Sequence, residues 1–118
     1  MLHFIPRPVH AVLDYVYGLT ALMAPKIAGF DDDKTATTVS TMMGVGALVS
    51  GLTTRHEGGV VKLVPFNTHL KTDAVAATLS FAAPWLFGFA GNTRARNSII
   101  GLALLEAGVV LLCQPDPQ

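Results

Sequence analysis

At 118 residues the chain is sized for one domain. Of these residues 51% are hydrophobic and only 14% charged, roughly half the charged share of ordinary soluble domains, and the mean hydropathy is +0.49. A formal net charge of zero excludes the basic footprint of a nucleic-acid binder, and the single cysteine, Cys113, excludes an internal disulfide or a thiolate metal cluster.

Taken in order, residues 1–7 are too short to act as the leader of a removable signal peptide. The apolar run after them carries His10 and Asp14 and lacks a small-residue cleavage site. Four apolar segments follow, at about 9–29, 35–52, 70–89 and 97–113. As helices each would be roughly 25–32 Å long, close to the hydrocarbon thickness of a bilayer. Pro8 suits a first helical position and Asn67 is a candidate N-cap for the third helix. Pro25 and Pro84 fall near the far ends of the first and third helices, where proline kinks or ends a helix. Asp31, Asp32 and Asp33 suit the start of the second helix. The longest connection, 55–68, is expected to lie along a membrane interface. Gly44, Gly46, Ala47 and Gly51 in the second helix, and Gly101, Ala103, Ala107 and Gly108 in the fourth, are expected to pack helix against helix.

The stretch 6–30 recurs at 65–89. At an offset of 59 residues Pro6 matches Pro65, His10 matches His69 and Asp14 matches Asp73. Val16 matches Val75, Ala24-Pro25 matches Ala83-Pro84, and Gly29-Phe30 matches Gly88-Phe89. A two-residue slip in the next loop would then align Gly44, Leu48 and Gly51 with Gly101, Leu105 and Gly108. A self-match at fixed period is the mark of repeated architecture. The expectation is an all-α, four-transmembrane-helix bundle from a tandem duplication of a two-helix hairpin. It forms a single membrane domain, 1–118, with repeat 1 at about 4–53 and repeat 2 at about 63–113. Lysine and arginine are tied between its two faces, so the positive-inside rule gives no orientation.

The duplication has a geometric consequence. Two copies in the same orientation, related by an axis along the membrane normal, place His10 and Asp14 at the depth of His69 and Asp73. The i, i+4 spacing puts each His and Asp on one helical face. Glu106 falls at a similar depth, while Arg55, His56 and Glu57 close the second helix at the same face. Ionisable groups inside a membrane segment usually meet a partner or a wet cavity. The bland reading is that each Asp accepts hydrogen bonds from its own His and from an Arg or Lys at the headgroup level. The sharper one is a site made of His10, Asp14, His69, Asp73 and Glu106, with Arg55, His56 and Glu57 as secondary candidates. Such a set suits a divalent metal, a proton relay or, through histidine, a haem iron. Tyr15, Tyr17, Trp85 and Phe87 read as packing or interfacial anchors. Walker A, dinucleotide-binding, nucleophile-elbow and His-Glu-x-x-His patterns are all missing.

The run Ala83-Pro84-Trp85-Leu86-Phe87-Gly88-Phe89 at the end of a membrane helix, together with the duplication, resembles the SPW-repeat family of bacterial integral membrane proteins. The Pro-x-x-x-His-x-x-x-Asp entry into each first helix is similar to two-copy members. The serine of the motif is Ala24 and Ala83 here, and Lys26 stands where a first tryptophan would be. The resemblance implies a multi-pass protein of the bacterial cell (inner) membrane, and implies no reaction.

The expected function is therefore a small integral membrane protein of structural or accessory-subunit type, without autonomous catalysis. Its partners would be the lipid bilayer, other membrane proteins or itself as an oligomer, with no nucleic acid. The alternative is a metal-, haem- or proton-binding module built on the two His-x-x-x-Asp pairs. A membrane enzyme with a lipid or quinone substrate is a third reading, and requires a cleft opening beside Asp14 and Asp73. A soluble helical bundle is the fourth.

Overall fold

A computed structural model describes residues 5–54, 56 and 58–113. They form four helices: α1 (Arg7–Ile27), α2 (Lys34–Thr53), α3 (Phe66–Leu86) and α4 (Thr93–Leu112). Among the described residues there is no strand, only isolated parallel bridges at Ile5–Cys113 and Thr54–Val64. α2 and α4 are long and apolar enough to cross a membrane. The third and fourth helices start four residues earlier than the apolar runs suggest, because polar first turns are still helical. Pro65, not Asn67, stands at the N-cap of α3 and makes no side-chain cap, whereas Asn92 caps α4.

The repeated Ala-Pro…Gly-Phe signature has a direct structural meaning. The carbonyl of Pro25 accepts from the N–H of Phe30, and that of Pro84 from the N–H of Phe89, each at 2.8 Å. This is the six-to-one bond of a Schellman ending, and it requires a left-handed residue just past the helix. Gly29 (φ 77°) and Gly88 (φ 78°) supply it. Phe30 and Phe89 are then driven into the core. Proline in the last turn leaves the carbonyl four residues back without its helical donor. In α1 that carbonyl belongs to Ala21, and the buried Ser40 hydroxyl donates to it at 2.6 Å.

The two-residue slip does not occur. Loops 28–33 and 87–92 have equal length and matching bonds. Asp33 N–H donates to the Phe30 carbonyl and Asn92 N–H to that of Phe89, both at 2.9 Å. The side chains of Asp33 and Asn92 cap α2 and α4 by accepting from Ala36 N–H at 3.0 Å and Ala95 N–H at 3.2 Å. The 59-residue offset thus holds through α2 and α4, and the glycine matches at a shorter offset do not correspond in space. The two caps also meet: Asn92 Nδ2 donates to Asp33 Oδ2 at 3.1 Å.

Only some of the glycines pack helices. Gly18 and Gly44 mark a close crossing of α1 and α2. A Cβ on Gly44 would sit 2.7 Å from Leu22 Cγ and 2.8 Å from the Gly18 carbonyl oxygen. The offset puts Ala77 and Ala103, both buried, at the matching places in α3 and α4. Gly46, Gly101 and Gly108 instead face open space, so the expected packing role does not extend to them. Gly44→Ala is expected to lower stability by about 1–3 kcal/mol through overpacking against backbone. Gly101→Ala should be neutral or slightly stabilising through helix propensity. Thermal unfolding midpoints of the two variants in one detergent check the contrast.

Helices pack closely within each hairpin, α1 on α2 and α3 on α4, and sparsely between hairpins. α1 and α3 face each other across the centre without backbone contact. Burial is inverted relative to a water-soluble bundle. Val9, Val12, Val16, Leu19, Met23 and Ile27 form an exposed stripe on α1, while His10, Ala11, Gly18 and Ala21 of the same helix face inward. α3 repeats the arrangement, with Val75, Leu79, Phe81, Trp85 and Leu86 outside and His69, Asp73 and Ser80 inside.

Candidate functional site

The gap between α1 and α3 is filled by polar side chains near the start of both helices. His10 and Asp14 lie one turn apart on α1, and His69 and Asp73 one turn apart on α3. His10 Nε2 is 3.1 Å from Asp14 Oδ1 and 3.3 Å from Asp73 Oδ2. His69 Nε2 is 2.9 Å from Asp14 Oδ2 and 3.0 Å from Asp73 Oδ2. Each carboxylate therefore serves both histidines, where the bland reading pairs it with its own histidine and a cation at the headgroup level. Exchanging every residue for the one 59 positions away leaves this pattern unchanged. The imidazoles are buried, and the aspartate side chains are only 11% and 12% exposed.

Two further groups fix the orientation of His69. Its Nδ1 lies 2.7 Å from Thr54 Oγ1 and 2.9 Å from Ser50 Oγ. The Thr54 hydroxyl proton is already given to the Ser50 carbonyl. With its proton there, Thr54 Oγ1 accepts from a His69 Nδ1–H, the tautomer that leaves Nε2 open to a metal. A neutral His69 then turns the bare lone pair of Nε2 toward two carboxylates. Phe66 stacks on the His69 ring at a centroid distance of 6.1 Å and meets the His10 ring edge-on at 5.3 Å. Bulky apolar walls thus limit the rotation of both imidazoles.

One ligand atom from each of His10, Asp14, His69 and Asp73 lies within 4.8 Å of all the others. The Nε2 atoms of His10 and His69 are buried, and neither makes a hydrogen bond of good geometry despite its carboxylate neighbours. A tetrahedral ion with bonds of about 2.0–2.1 Å holds its ligand atoms roughly 3.3 Å apart, and each imidazole Nε2 has an oxygen of both carboxylates at 2.9–3.3 Å, Asp14 offering Oδ1 to His10 and Oδ2 to His69. Two buried carboxylates with a lone pair aimed between them call for about two positive charges at the centre. The cluster does not suit haem. The His10 and His69 ring centroids are 5.3 Å apart with carboxylates around both Nε2 atoms, which leaves no room for a porphyrin between the rings.

The remaining sequence candidates separate. His56 is delivered by the loop after α2, not by the helix, and its Nε2 lies 3.4 Å from Asp14 Oδ2. That loop is held by Tyr15, whose hydroxyl donates to the Gly58 carbonyl. Glu106 lies outside the ring of four. It lines the small cavity on the other side of Asp14 and Asp73, next to Tyr17. Arg55 and Glu57 fall outside the described residues. Trp85 and Phe87 are exposed, whereas Tyr15 and Tyr17 belong to the surroundings of the site. Ser50 and Thr54 escaped the sequence reading. The signal was present as two hydroxyls at i, i+4, one in the last turn of α2 and one at its C-cap, the spacing that reaches one neighbouring side chain.

A family model for the SPW repeat domain matches residues 8–111. That span runs from the first turn of α1 to the last turn of α4. No curated protein and no solved structure matches the chain.

Proposed function

We propose, from the premise that the chain belongs to the SPW repeat domain family, that it is a multi-pass bacterial inner-membrane protein enclosing one divalent metal ion. His10, Asp14, His69 and Asp73 hold the ion, and zinc fits the two-nitrogen, two-oxygen set best. The observation that carries this reading is the convergence of two buried imidazole Nε2 atoms and two carboxylates within 4.8 Å of one another. The second ring nitrogen of His69 is committed to Thr54, the outer-shell support expected of a metal-binding histidine.

The membrane reading is supported by the outward apolar stripes on α1 and α3 and by the two helices apolar enough to span. Large exposed apolar surfaces mark contact with lipid or with other proteins. The open space at Gly46, Gly101 and Gly108 supports close packing against neighbouring membrane helices, whether of an accessory partner or of a second copy. The exchange-symmetric ring and the matched loops are what duplication of one hairpin would produce. In this reading the ion joins the two hairpins where their backbones do not touch.

The test is elemental analysis of the full chain, purified without chelator through a tag other than polyhistidine. About one ion per chain is expected, and the ion should be lost in a His10→Ala/His69→Ala variant. A metal-free preparation from metal-replete cells, with an unfolding midpoint that added zinc does not move, would overturn the proposal.

A further inference from the structure

The 59-residue exchange extends past the helices into the entry of each hairpin. Val64 pairs with Thr54 in one parallel bridge, and its counterpart Ile5 pairs with Cys113 in the other. The Val64 N–H donates to the Thr53 carbonyl at 2.9 Å, and the Ile5 N–H to that of Leu112 at 3.0 Å. Thr54 and Cys113 are the C-caps of α2 and α4, and both are buried. The exchange that carries His69 onto His10 therefore carries Thr54 onto Cys113 and Ser50 onto Val109.

The backbone repeats at these positions and the chemistry does not. His69 Nδ1 has two hydroxyl oxygens beside it, Thr54 Oγ1 at 2.7 Å and Ser50 Oγ at 2.9 Å. The matching places for His10 hold a thiol, which is a weak hydrogen-bonding group, and an isopropyl group, which is none. The result is visible at His10 itself. Its ring is fully buried, and among the described residues no hydrogen bond reaches its Nδ1. Cys113 packs with Phe66, and Phe66 meets the His10 ring edge-on at 5.3 Å. An imidazole that ligates a metal is fixed in tautomer and direction by the bond to its second nitrogen, and losing that partner costs about 10–100-fold in metal affinity. His69 has the bond and His10 lacks it.

We infer that the two imidazoles hold the ion unequally: His69 is the fixed ligand, His10 is the one that lets go, and the side chain at position 113 sets how readily. The ion is then exchangeable, and leaves through the half of the site that Cys113 does not latch. Cys113 is a positioning residue that acts through His10 without touching the ion. The release rests on the ion proposal above, whereas the unequal fastening is a property of the metal-free protein as well.

The test has two arms, both on the full chain in one detergent. In the first, nitrogen-15 NMR of the metal-free protein reads the ring N–H groups. One hydrogen-bonded Nδ1–H is expected, from His69, and Cys113→Thr should add a second, from His10. In the second, zinc-loaded protein is mixed with excess chromophoric chelator and the release is timed. Cys113→Thr should slow release roughly tenfold and Thr54→Cys should speed it by a similar factor, the scale of one outer-shell partner. Cys113→Val should release at the wild-type rate; threonine and valine have the same shape, so their contrast reads the hydroxyl alone. Cys113→Ser supplies the hydroxyl on a smaller side chain if threonine disturbs the packing. A hydrogen-bonded His10 Nδ1–H in the wild type, no second signal in either hydroxyl variant, or equal release from the threonine and valine variants would overturn the inference. A protein that takes up no zinc yet shows the single His69 signal would overturn the ion proposal and the release route with it, and would confirm the unequal fastening.

Discussion

Asparagine at position 14 is expected to release the ion and weaken metal affinity by about 100-fold or more, beyond the effect of an outer-shell substitution. Asp14 is the most shared group in the site, within 3.4 Å of His10, His56 and His69. Asp14→Asn keeps the shape and removes the charge. It also turns amide hydrogens or an uncharged oxygen toward nitrogens placed to meet a carboxylate. Asp73→Asn should act in the same direction with smaller effect, since Asp73 meets two imidazoles rather than three. Competition against a chromophoric zinc chelator measures both. A thermal titration separates the metal from a plain ring of imidazolium and carboxylate. If an ion binds the folded state, the stability gap between wild type and Asp14→Asn grows with free zinc as RT ln(1 + [L]/Kd). A gap that stays constant over the zinc range would sink the assignment.

The second large effect is expected from a residue with no polar atom in its side chain. Alanine at Gly59 would drive its Cβ into the carbonyl oxygen of Thr54, a backbone atom that cannot rotate away. The loop must then move as a unit. Val60 and Val61 N–H groups are tied to the Leu52 carbonyl at 2.8 and 2.9 Å, and Leu63 and Val64 to that of Thr53 at 3.0 and 2.9 Å. The same loop carries Thr54 and His56. Gly59→Ala should cost about 2 kcal/mol or more and weaken zinc binding roughly tenfold, the scale of losing an outer-shell partner. Gly91→Ala is the control, because a Cβ there meets nothing within 4 Å. It should stay within about 0.5 kcal/mol of wild type. Equal behaviour of the two variants would refute the account of the loop.

The helices and their pairing were legible because the self-match reports backbone roles: proline near the end, glycine past it, phenylalanine locking it. The common depth of the two His-Asp pairs followed from the same match. The crossed contacts did not, because helical spacing fixes which residues share a face and not which face meets which. Thr54, which orients His69, belongs to the first half while His69 belongs to the second, and no local pattern joins them. The false slip arose from glycine matches in helices where glycine is common for several reasons. The space around Gly101 and Gly108 shows that they do not pack helix on helix within the chain.

Some corresponding positions of the two halves share a task. Asp33 and Asn92 touch across one end, and His10 and His69 face each other across the other. A change at one of these positions is felt by its counterpart. Lys26 and Trp85 hold matching positions on outward surfaces and answer to separate surroundings. Several matches between the two halves thus fall where side chains meet their own counterparts, as at His10 and His69, or where the same turn of backbone repeats, as at Gly29 and Gly88.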